Sequence, residues 1–363
     1  MSVARPGRSR ASRRMLACAV AAAAALAVVA PPAGAHGRHH QVRPHHVGLG
    51  DLGLRRGVFV GSAVDTTALA NEPQYAAVLA REFRSVTAEN VMKWETVEPQ
   101  QGVDDFTAAD GLVDFARAHG QSVYGHNLIW HNQLPAWLTQ GTWTKEQLAA
   151  ILKRHIFAVA GHFRGKVRAW DVVNEGIDDN AQFCDTIWYR TFGSDYFAMA
   201  LRWAHEADPH AKLFLNDYNI EGINAKSDAY YALIKSLQAQ HVPIDGIGIQ
   251  GHLSLDFPFP GQMPENVQRF AALGLDVGIT EADVRMTLPV TDELLARQAS
   301  YFRQMLDACL SVRSCHTYTV WGFTDLHSWV PGFFTGQGAA TPFTETYQPK
   351  PAYFALRDAL LGR

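Results

Sequence analysis

Two glutamates stand where short apolar runs end, and they are the residues best able to do chemistry in this sequence. Glu175 ends the segment WDVVNE at 170–175, and Glu281 follows the run VGIT at 277–280. Two carboxyl groups can divide acid–base and nucleophilic work when their surroundings keep one protonated and the other ionised. Trp, His, Asn and Gln residues are concentrated around both. This combination predicts cleavage of a glycosidic bond.

Both glutamates belong to a repeated alternation of short apolar runs and longer stretches with helical periodicity. The apolar runs predict eight parallel strands, at 58–61, 85–88, 122–125, 169–173, 212–215, 246–250, 277–280 and 317–321. The stretches between them predict helices at 75–83, 109–119, 145–163, 195–207, 225–240, 264–273, 291–309 and 351–361. This pattern predicts an α/β fold, a single (β/α)8 TIM barrel over residues 57–361, with no appended module. A doubly wound sheet is the alternative, but no Gly-rich phosphate loop follows the first strand.

Polar and aromatic residues follow seven consecutive predicted strands, at the barrel end where active sites form. In chain order they are Glu89, Asn90, Lys93 and Trp94; His126, Trp130, His131 and Gln133; Asn174 and Glu175; Asn216, Asp217 and Tyr218; Gln250 and His252; Glu281 and Asp283; Trp321, Asp325 and Trp329. Each has an ordinary structural explanation when taken alone. Together they predict one functional cleft.

The composition excludes several other classes of protein. With a net charge of −3, nothing in the sequence favours a nucleic-acid partner. No H-E-x-x-H segment or Cys pair with zinc spacing occurs, so no metal or other cofactor is expected. The G-x-S-x-G segment of serine hydrolases is also absent.

The first residues have the layout of an export signal. Five Arg within residues 1–14 precede an apolar run at 15–29 and the small-residue segment AGA at 33–35. We therefore expect residues 1–35 to be a signal peptide and the protein to be secreted, by the Sec or the twin-arginine route, with no membrane span after cleavage. Residues 36–56, which begin with a His-rich stretch, are expected to be a flexible leader rather than a metal site.

Cleavage of that signal would leave three cysteines, Cys184, Cys309 and Cys315. An oxidising compartment permits disulfides. Cys309 and Cys315 flank five residues just before the last predicted strand, so a local bridge between them is expected. Cys184 is then left as a free thiol without a catalytic role.

Seven ordered segments carry a family resemblance. ENVMKWE, GHNLIWHNQLP, WDVVNE, NDYN, GIGIQGH, ITEADV and VWGFTDLHSW resemble the motif set of glycoside hydrolase family 10. The resemblance covers residues 57–361 and implies a secreted endo-β-1,4-xylanase on a (β/α)8 barrel. It also implies a retaining mechanism, for which carboxyl groups about 5–5.5 Å apart are typical. Glu175 matches the acid/base and Glu281 the nucleophile.

The resemblance implies roles for the neighbouring residues too. Asn174 matches the residue that hydrogen-bonds the sugar 2-OH, and His252 with Asp283 matches the pair that keeps the nucleophile ionised. Asn216 and Gln250 match supporting polar groups. The remaining matches are a polar floor on the non-reducing side, Glu89, Asn90, Lys93, His126 and Gln133, and aromatic walls, Trp130, Trp321 and Trp329. Trp321 and Trp329 would crowd a hydroxymethyl group and so favour xylose over glucose.

The sequence departs from the family pattern beside the nucleophile, with Ala282 for Leu, and in the loop after Trp329. These departures leave the detail of the sugar-binding subsites open. The expected partner is xylan, cleaved by a monomer. Two alternatives remain: a family member acting mainly on β-1,4-glucan or cellobiosides, and a non-catalytic barrel that binds polysaccharide.

Overall fold

The computed structural model describes residues 47–363 of the chain. Its strands are β1 (Phe59–Val64), β2 (Ser85–Ala88), β3 (Ser122–Ile129), β4 (Val167–Asn174), β5 (Lys212–Asp217), β6 (Gly246–Ile249), β7 (His252–Ser254), β8 (Asp276–Thr287), β9 (Cys315–Val320) and β10 (Gln337–Gly338). Strands β1 to β6 pair in parallel with their neighbours, β6 continues to β8, and β8 to β9. Pairing of β9 with β1 closes the ring. The predicted eight-stranded parallel barrel is confirmed.

Helices lie between the strands. They are α1 (Leu49–Arg55), α2 (Thr66–Asn71), α3 (Pro73–Glu82), α4 (Trp94–Val97), α5 (Thr107–Ala118), α6 (Ala136–Thr139), α7 (Lys145–His162), α8 (Ile187–Phe192), α9 (Asp195–Ala207), α10 (Ala225–Ala239), α11 (Met263–Ala271), α12 (Asp292–Leu310), α13 (Val330–Phe333) and α14 (Pro351–Leu361). The longer helices match the predicted ones within two residues at each end, and two of them, α7 and α10, begin with a capping box. Thr144 and Asn224 each accept a hydrogen bond from a backbone N–H of the first turn, which fixes where α7 and α10 begin.

The barrel interior depends on glycines that make room for large side chains. A Cβ atom at Gly125 of β3 would lie 2.2 Å from the ring of Trp170 on β4, which is fully buried. A Cβ atom at Gly248 of β6 would lie 2.2 Å from Oδ1 of Asn216 on β5. These strands can carry Trp170 and Asn216 because their neighbours lack a side chain at the point of contact.

Several local predictions were wrong. The expected flexible leader at 36–56 overlaps the described residues at its end, and there Leu49–Arg55 forms α1, with Leu49 and Leu52 buried. The seventh barrel strand was predicted to stop at 280 but runs on to Thr287 as β8. The sixth was predicted to continue to 250 but ends at Ile249, followed by the separate strand β7. The predicted signal peptide, 1–35, lies outside the described residues.

The predicted disulfide is present. Cys309 at the end of α12 is bonded to Cys315 at the start of β9, and both are buried. Cys184 is free and half-buried. Burial raises the pKa of the Cys184 thiol to about 11, which keeps it protonated and unreactive at neutral pH. Between residues 47 and 363 there is no helix long and apolar enough to cross a membrane.

Candidate active site

Glu175 lies directly after β4, at the predicted barrel end. Its backbone has a φ of +54°, in the left-handed region that residues other than glycine rarely adopt. Its Oε2 accepts a hydrogen bond of 2.8 Å from the indole N–H of Trp130. Its Oε1 accepts from the amides of Asn174 and Gln250, each at 3.2 Å. The carboxyl group is therefore held by neutral donors and stays partly open to solvent.

Glu281 lies in β8 and has different surroundings from Glu175. Only 4% of the residue is exposed. Its Oε1 accepts from the Asn216 amide at 2.7 Å, and its Oε2 lies 3.1 Å from Nε2 of His252. Burial alone would raise the pKa of Glu281, but the imidazoles of His126 and His252 and the amide of Asn216 lower it below its ordinary value. Glu281 is therefore the carboxylate of the pair that these contacts keep ionised.

His252 links Glu281 to Asp283, because parallel pairing of β7 with β8 places His252 beside Asp283. Its Nδ1 lies 3.0 Å from Oδ2 of Asp283, close enough for an ion pair but not aligned as a hydrogen bond. Burial would lower the pKa of His252, but the carboxylates of Asp283 and Glu281 raise it to about 10. His252 is thus an imidazolium at neutral pH, and its Nε2–H donates to Glu281.

Three amide side chains connect the two glutamates. Gln250 donates to Glu175 and, at 3.3 Å, to Oδ1 of Asn174. Asn216 donates to the same Asn174 oxygen at 2.8 Å and to Glu281. Each residue was predicted as a site residue, and the structure brings all three together between the carboxyl groups.

Glu281 also belongs to a buried polar cluster with His126, Asp171 and Tyr124, which sequence analysis found only in part. His126, a predicted sugar contact, lies with its Nδ1 2.9 Å from Oδ2 of Asp171 and 3.8 Å from Oε1 of Glu281. Tyr124 donates to the other oxygen of Asp171 at 2.8 Å. His126, Asp171 and Glu281 form the one group among residues 47–363 that could hold a metal ion. The hydrogen bonds from His126 and Tyr124 to Asp171 account for this arrangement without one.

The predicted polar floor, apart from His126, forms a second cluster beside Trp130. Lys93 donates to the side-chain oxygens of Asn90 at 3.0 Å and Gln133 at 2.7 Å, and its Nζ lies 4.9 Å from the centre of the Trp130 ring. Burial lowers the pKa of Lys93, although four nearby glutamates oppose that shift. Burial and the charge of Asp65 raise the pKa of Glu89 to about 7.

Two of the three tryptophans predicted to be aromatic walls also have a polar role. Trp321 packs edge-on against His126, with ring centres 5.0 Å apart. Trp329 has a polar role as well, because its indole N–H donates to Oδ2 of Asp283 at 2.7 Å while its ring lies 5.1 Å from that of His252. Trp130 likewise donates to Glu175. Two of the three tryptophans therefore hold site carboxylates by hydrogen bonds.

Comparison with known proteins identifies this arrangement. Residues 48–359 match the sequence profile of Glycosyl hydrolase family 10. The chain belongs to this family. Endo-1,4-beta-xylanase B of Thermotoga neapolitana is 46% identical over 293 residues, 80% of this chain and 85% of the relative. An endo-1,4-beta-xylanase of Agaricus bisporus is 43% identical over 313 residues, 85% of this chain and 93% of the relative.

Solved structures of the family agree. Xylanase 10B from Thermotoga petrophila RKU-1, crystallised in complex with xylobiose, superposes with a TM-score of 0.85 at 43% identity, covering 87% of this chain and 98% of that one. Native xylanase 10B from Thermotoga maritima superposes with a TM-score of 0.84 at 44% identity, covering 87% and 98%.

A groove extends the family 10 site beyond His252. It has a volume of about 650 Å³ and is lined mainly by β7 and by the loops that follow β5 and β7, with Asn219, Asn224, Phe257, Arg285 and His252 among its residues. The groove therefore shares His252 with the hydrogen-bond network of Glu281. The lining mixes amides, a guanidinium and an aromatic ring, groups suited to a hydroxyl-rich chain.

Sequence analysis missed several residues that support the family 10 site. Asp171 stands within the WDVVNE segment but reads as one polar residue inside an apolar strand. Thr280, which donates to Asn216 at 2.6 Å, was counted as strand only. The inward-facing periodicity of β4 and β8 is the signal that could have found both.

Proposed function

We propose that the chain is a retaining endo-1,4-β-xylanase. The observation that carries this proposal is the unequal environment of its two glutamates. Glu281 is buried and stabilised as a carboxylate by His252, whereas neutral donors hold Glu175 where solvent can reach it. A nucleophile must be ionised, and an acid/base must be reached by the water from which it takes a proton in the second half-reaction.

In the first step Glu281 attacks the anomeric carbon and forms an ester bond while the bond to the leaving sugar breaks. Glu175 gives its proton to the departing oxygen. In the second step water attacks the same carbon, Glu175 takes a proton from it, and the ester bond breaks to release Glu281. Two inversions give net retention. Asn174, held by Asn216 and Gln250, is placed to bind the sugar 2-OH, a contact that strengthens in the transition state. No step uses a metal or another cofactor.

Xylan is the substrate that the relatives support, since those named above are endo-1,4-beta-xylanases and one structure holds xylobiose. In this chain we assign the polar cluster of Glu89, Asn90, Lys93 and Gln133 to the sugars on the non-reducing side. Trp321 and Trp329 would crowd a C5 hydroxymethyl group, which disfavours glucan. The non-catalytic alternative is disfavoured because both glutamates and His252 are retained in hydrogen-bonding positions.

The test is release of reducing sugar from xylan and from soluble cellulose, compared for the wild type, Glu281→Ala and Glu345→Ala. Glu345 is an exposed glutamate without a site contact, so it controls for loss of a carboxylate. We expect activity mainly on xylan, abolished only in Glu281→Ala. A Glu281→Ala protein with wild-type turnover would refute the nucleophile assignment, and cellulose as the better substrate would refute the specificity.

The acid/base is tested separately. Glu175→Ala should retain turnover only of aryl xylobiosides with good leaving groups, and added azide should restore part of the rate as the β-azide, because azide needs no general base. NMR of the first product formed should show the β-anomer in the wild type. A first product of α-configuration would contradict the retaining mechanism.

We also propose that the protein is exported, from the composition of residues 1–35. Sequencing the N-terminus of protein collected from culture medium tests this. Cleavage after Ala35 is expected, whereas retention of the uncleaved chain in the cell would contradict the proposal.

A further inference from the structure

The backbone of Glu175 is held in an uncommon conformation. A φ of +54° at a residue with a side chain persists only when surrounding contacts keep it there. On its N-terminal side, the N–H of Glu175 donates to the carbonyl of Asn216 at 2.9 Å. On its C-terminal side, the contacts are made by Gly176.

The N–H of Gly176 donates to the hydroxyl oxygen of Tyr230, on α10, at 3.1 Å. That hydroxyl in turn donates to Oδ2 of Asp217 at 2.5 Å. The other oxygen of Asp217 lies 2.8 Å from Nζ of Lys226. Tyr230 and Asp217 are fully buried and Lys226 is 3% exposed. Because a hydroxyl has one hydrogen and Asp217 receives it, the oxygen of Tyr230 is left to accept from Gly176.

The far end of this chain of contacts is also fixed. Nζ of Lys226 lies 3.6 Å from the centre of the Tyr218 ring and 3.4 Å from Oδ1 of Asp179. Gly176 lies against the ring of Phe197, so closely that a Cβ atom there would be 2.5 Å from the ring. The peptide that follows Glu175 therefore sits between a packed ring and a hydrogen bond.

A buried ion pair such as Lys226–Asp217 is weak evidence for added stability. Its position one hydrogen bond from the backbone of Glu175 points to a different use. We propose that Tyr230, oriented by Asp217 and Lys226, is a positioning residue for Glu175. Its hydroxyl fixes the peptide of Gly176 and so holds the carboxyl of Glu175 where it can reach the leaving oxygen. The proposal rests on the assignment of Glu175 as acid/base.

Tyr230→Phe removes the hydroxyl and keeps the ring. Proton donation matters for a poor leaving group and little for 2,4-dinitrophenolate, which departs unprotonated. We expect kcat/KM for phenyl β-xylobioside to fall by about 10- to 100-fold, because general acid catalysis and its alignment contribute factors of this size. For 2,4-dinitrophenyl β-xylobioside we expect a loss of less than about threefold, since that reaction does not draw on general acid catalysis.

Tyr318→Phe is the matched control. Tyr318 is also fully buried, and its hydroxyl donates to the carbonyl of Phe302 at 3.2 Å, between β9 and α12. Its loss should leave the ratio of the two rates unchanged. Asp217→Asn removes the charge that orients the Tyr230 hydroxyl and should change the ratio in the same direction, so it carries the test if Tyr230→Phe does not fold.

The outcomes separate the two proposals. Equal losses on both aryl glycosides, or no loss on either, overturn the positioning role of Tyr230. A wild-type protein that cleaves neither aryl glycoside nor xylan overturns the proposed function instead. A selective loss with phenyl β-xylobioside, absent in Tyr318→Phe, supports the positioning role.

Discussion

At the scale of single residues, each glutamate has its chemistry set by the groups around it. His252 is itself charged because it lies between Glu281 and Asp283, and the indole N–H of Trp329 holds Asp283 in place. The charge of Glu281 therefore depends on Trp329 through two intermediate side chains. A sugar ring that moved Trp329 would therefore change the surroundings of Glu281.

Glu89 gives a prediction about pH. Its folded pKa is about 7, above the ordinary 4.5, so the folded state binds more protons than the unfolded state between these values. Stability then falls as pH rises through that window, and the full penalty is present above pH 7. Glu89→Gln removes this titration. The gain in stability of Glu89→Gln over the wild type should therefore be larger at pH 8.5 than at pH 5, by on the order of 2 kcal/mol.

Thermal unfolding at the two pH values measures this difference. Glu345→Gln, at an exposed position, is the control and should show the same difference from wild type at both. If Glu89→Gln also shifted stability equally at both pH values, the raised pKa of Glu89 would be contradicted.

Some site residues could be predicted from sequence because they belong to recognisable segments. Glu175, Glu281, His252 and Asn216 were all named from their motifs, and the structure brings them into one hydrogen-bonded group. The donor functions of Trp130 and Trp329 could not be predicted, because residue type does not show where an indole N–H points. Their partners, Glu175 and Asp283, lie 45 and 46 residues away in sequence.

At the scale of elements, the strands do more than hold the ring together. Neighbouring strands must leave space for the side chains that reach into the site, and Gly248 of β6 leaves it for Asn216. Since Asn216 donates to both Asn174 and Glu281, the absence of a side chain at Gly248 is a requirement of the active site.

Gly248→Ala should therefore displace Asn216. We expect kcat/KM on xylan to fall by about 10- to 100-fold, the scale associated with misplacement of a catalytic group by about 1 Å. Gly161→Ala, in α7 and facing open space, is the control and should leave activity unchanged while raising stability by about 0.5–1 kcal/mol. Full activity in Gly248→Ala would show that Asn216 can relax without consequence.

The disulfide between α12 and β9 gives a prediction about stability. Cys309 and Cys315 are six positions apart, and a closed loop this short contributes about 2–3 kcal/mol in the chain-entropy treatment. Cys309→Ala with Cys315→Ala should lower the midpoint of thermal unfolding, with xylanase activity at low temperature retained. The comparison is with Cys184→Ala, which breaks no bridge; equal midpoints for all three proteins would count against a stabilising bridge.

Element boundaries were predictable where apolar periodicity was unbroken, as for β2, α9 and α14. The predicted boundaries were wrong where polar residues of the site interrupt a strand. Polar residues at Glu281, Asp283 and Arg285 interrupt the apolar pattern of β8, so its second half could not be recognised as strand. Helix α1, with sequence LGDLGLR, was missed because it adjoins a His-rich segment and contains two glycines, which are poor helix formers.

At the scale of the whole molecule, the fold class followed from the alternation of short apolar runs and helical stretches. The closure of the ring by β9 and β1 could not be read from either strand alone. It follows from the requirement that no barrel strand keep an unpaired edge. The loop after β9 was the region least resembling the family, and the structure nevertheless ties it to the site through Trp329.

Helix α1 has a consequence for the path of the chain. It packs against β1 and against α14, and Arg56, just after α1, reaches Gly362, just after α14. The described residues thus begin and end near each other, so the barrel packing does not depend on the point at which the ring of βα units is opened. A circular permutant of residues 47–363, rejoined by a short Gly/Ser linker and reopened at the exposed turn of Gly274, should fold and hydrolyse xylan. Failure to fold would indicate that the ring can assemble only when the chain is continuous at Gly274.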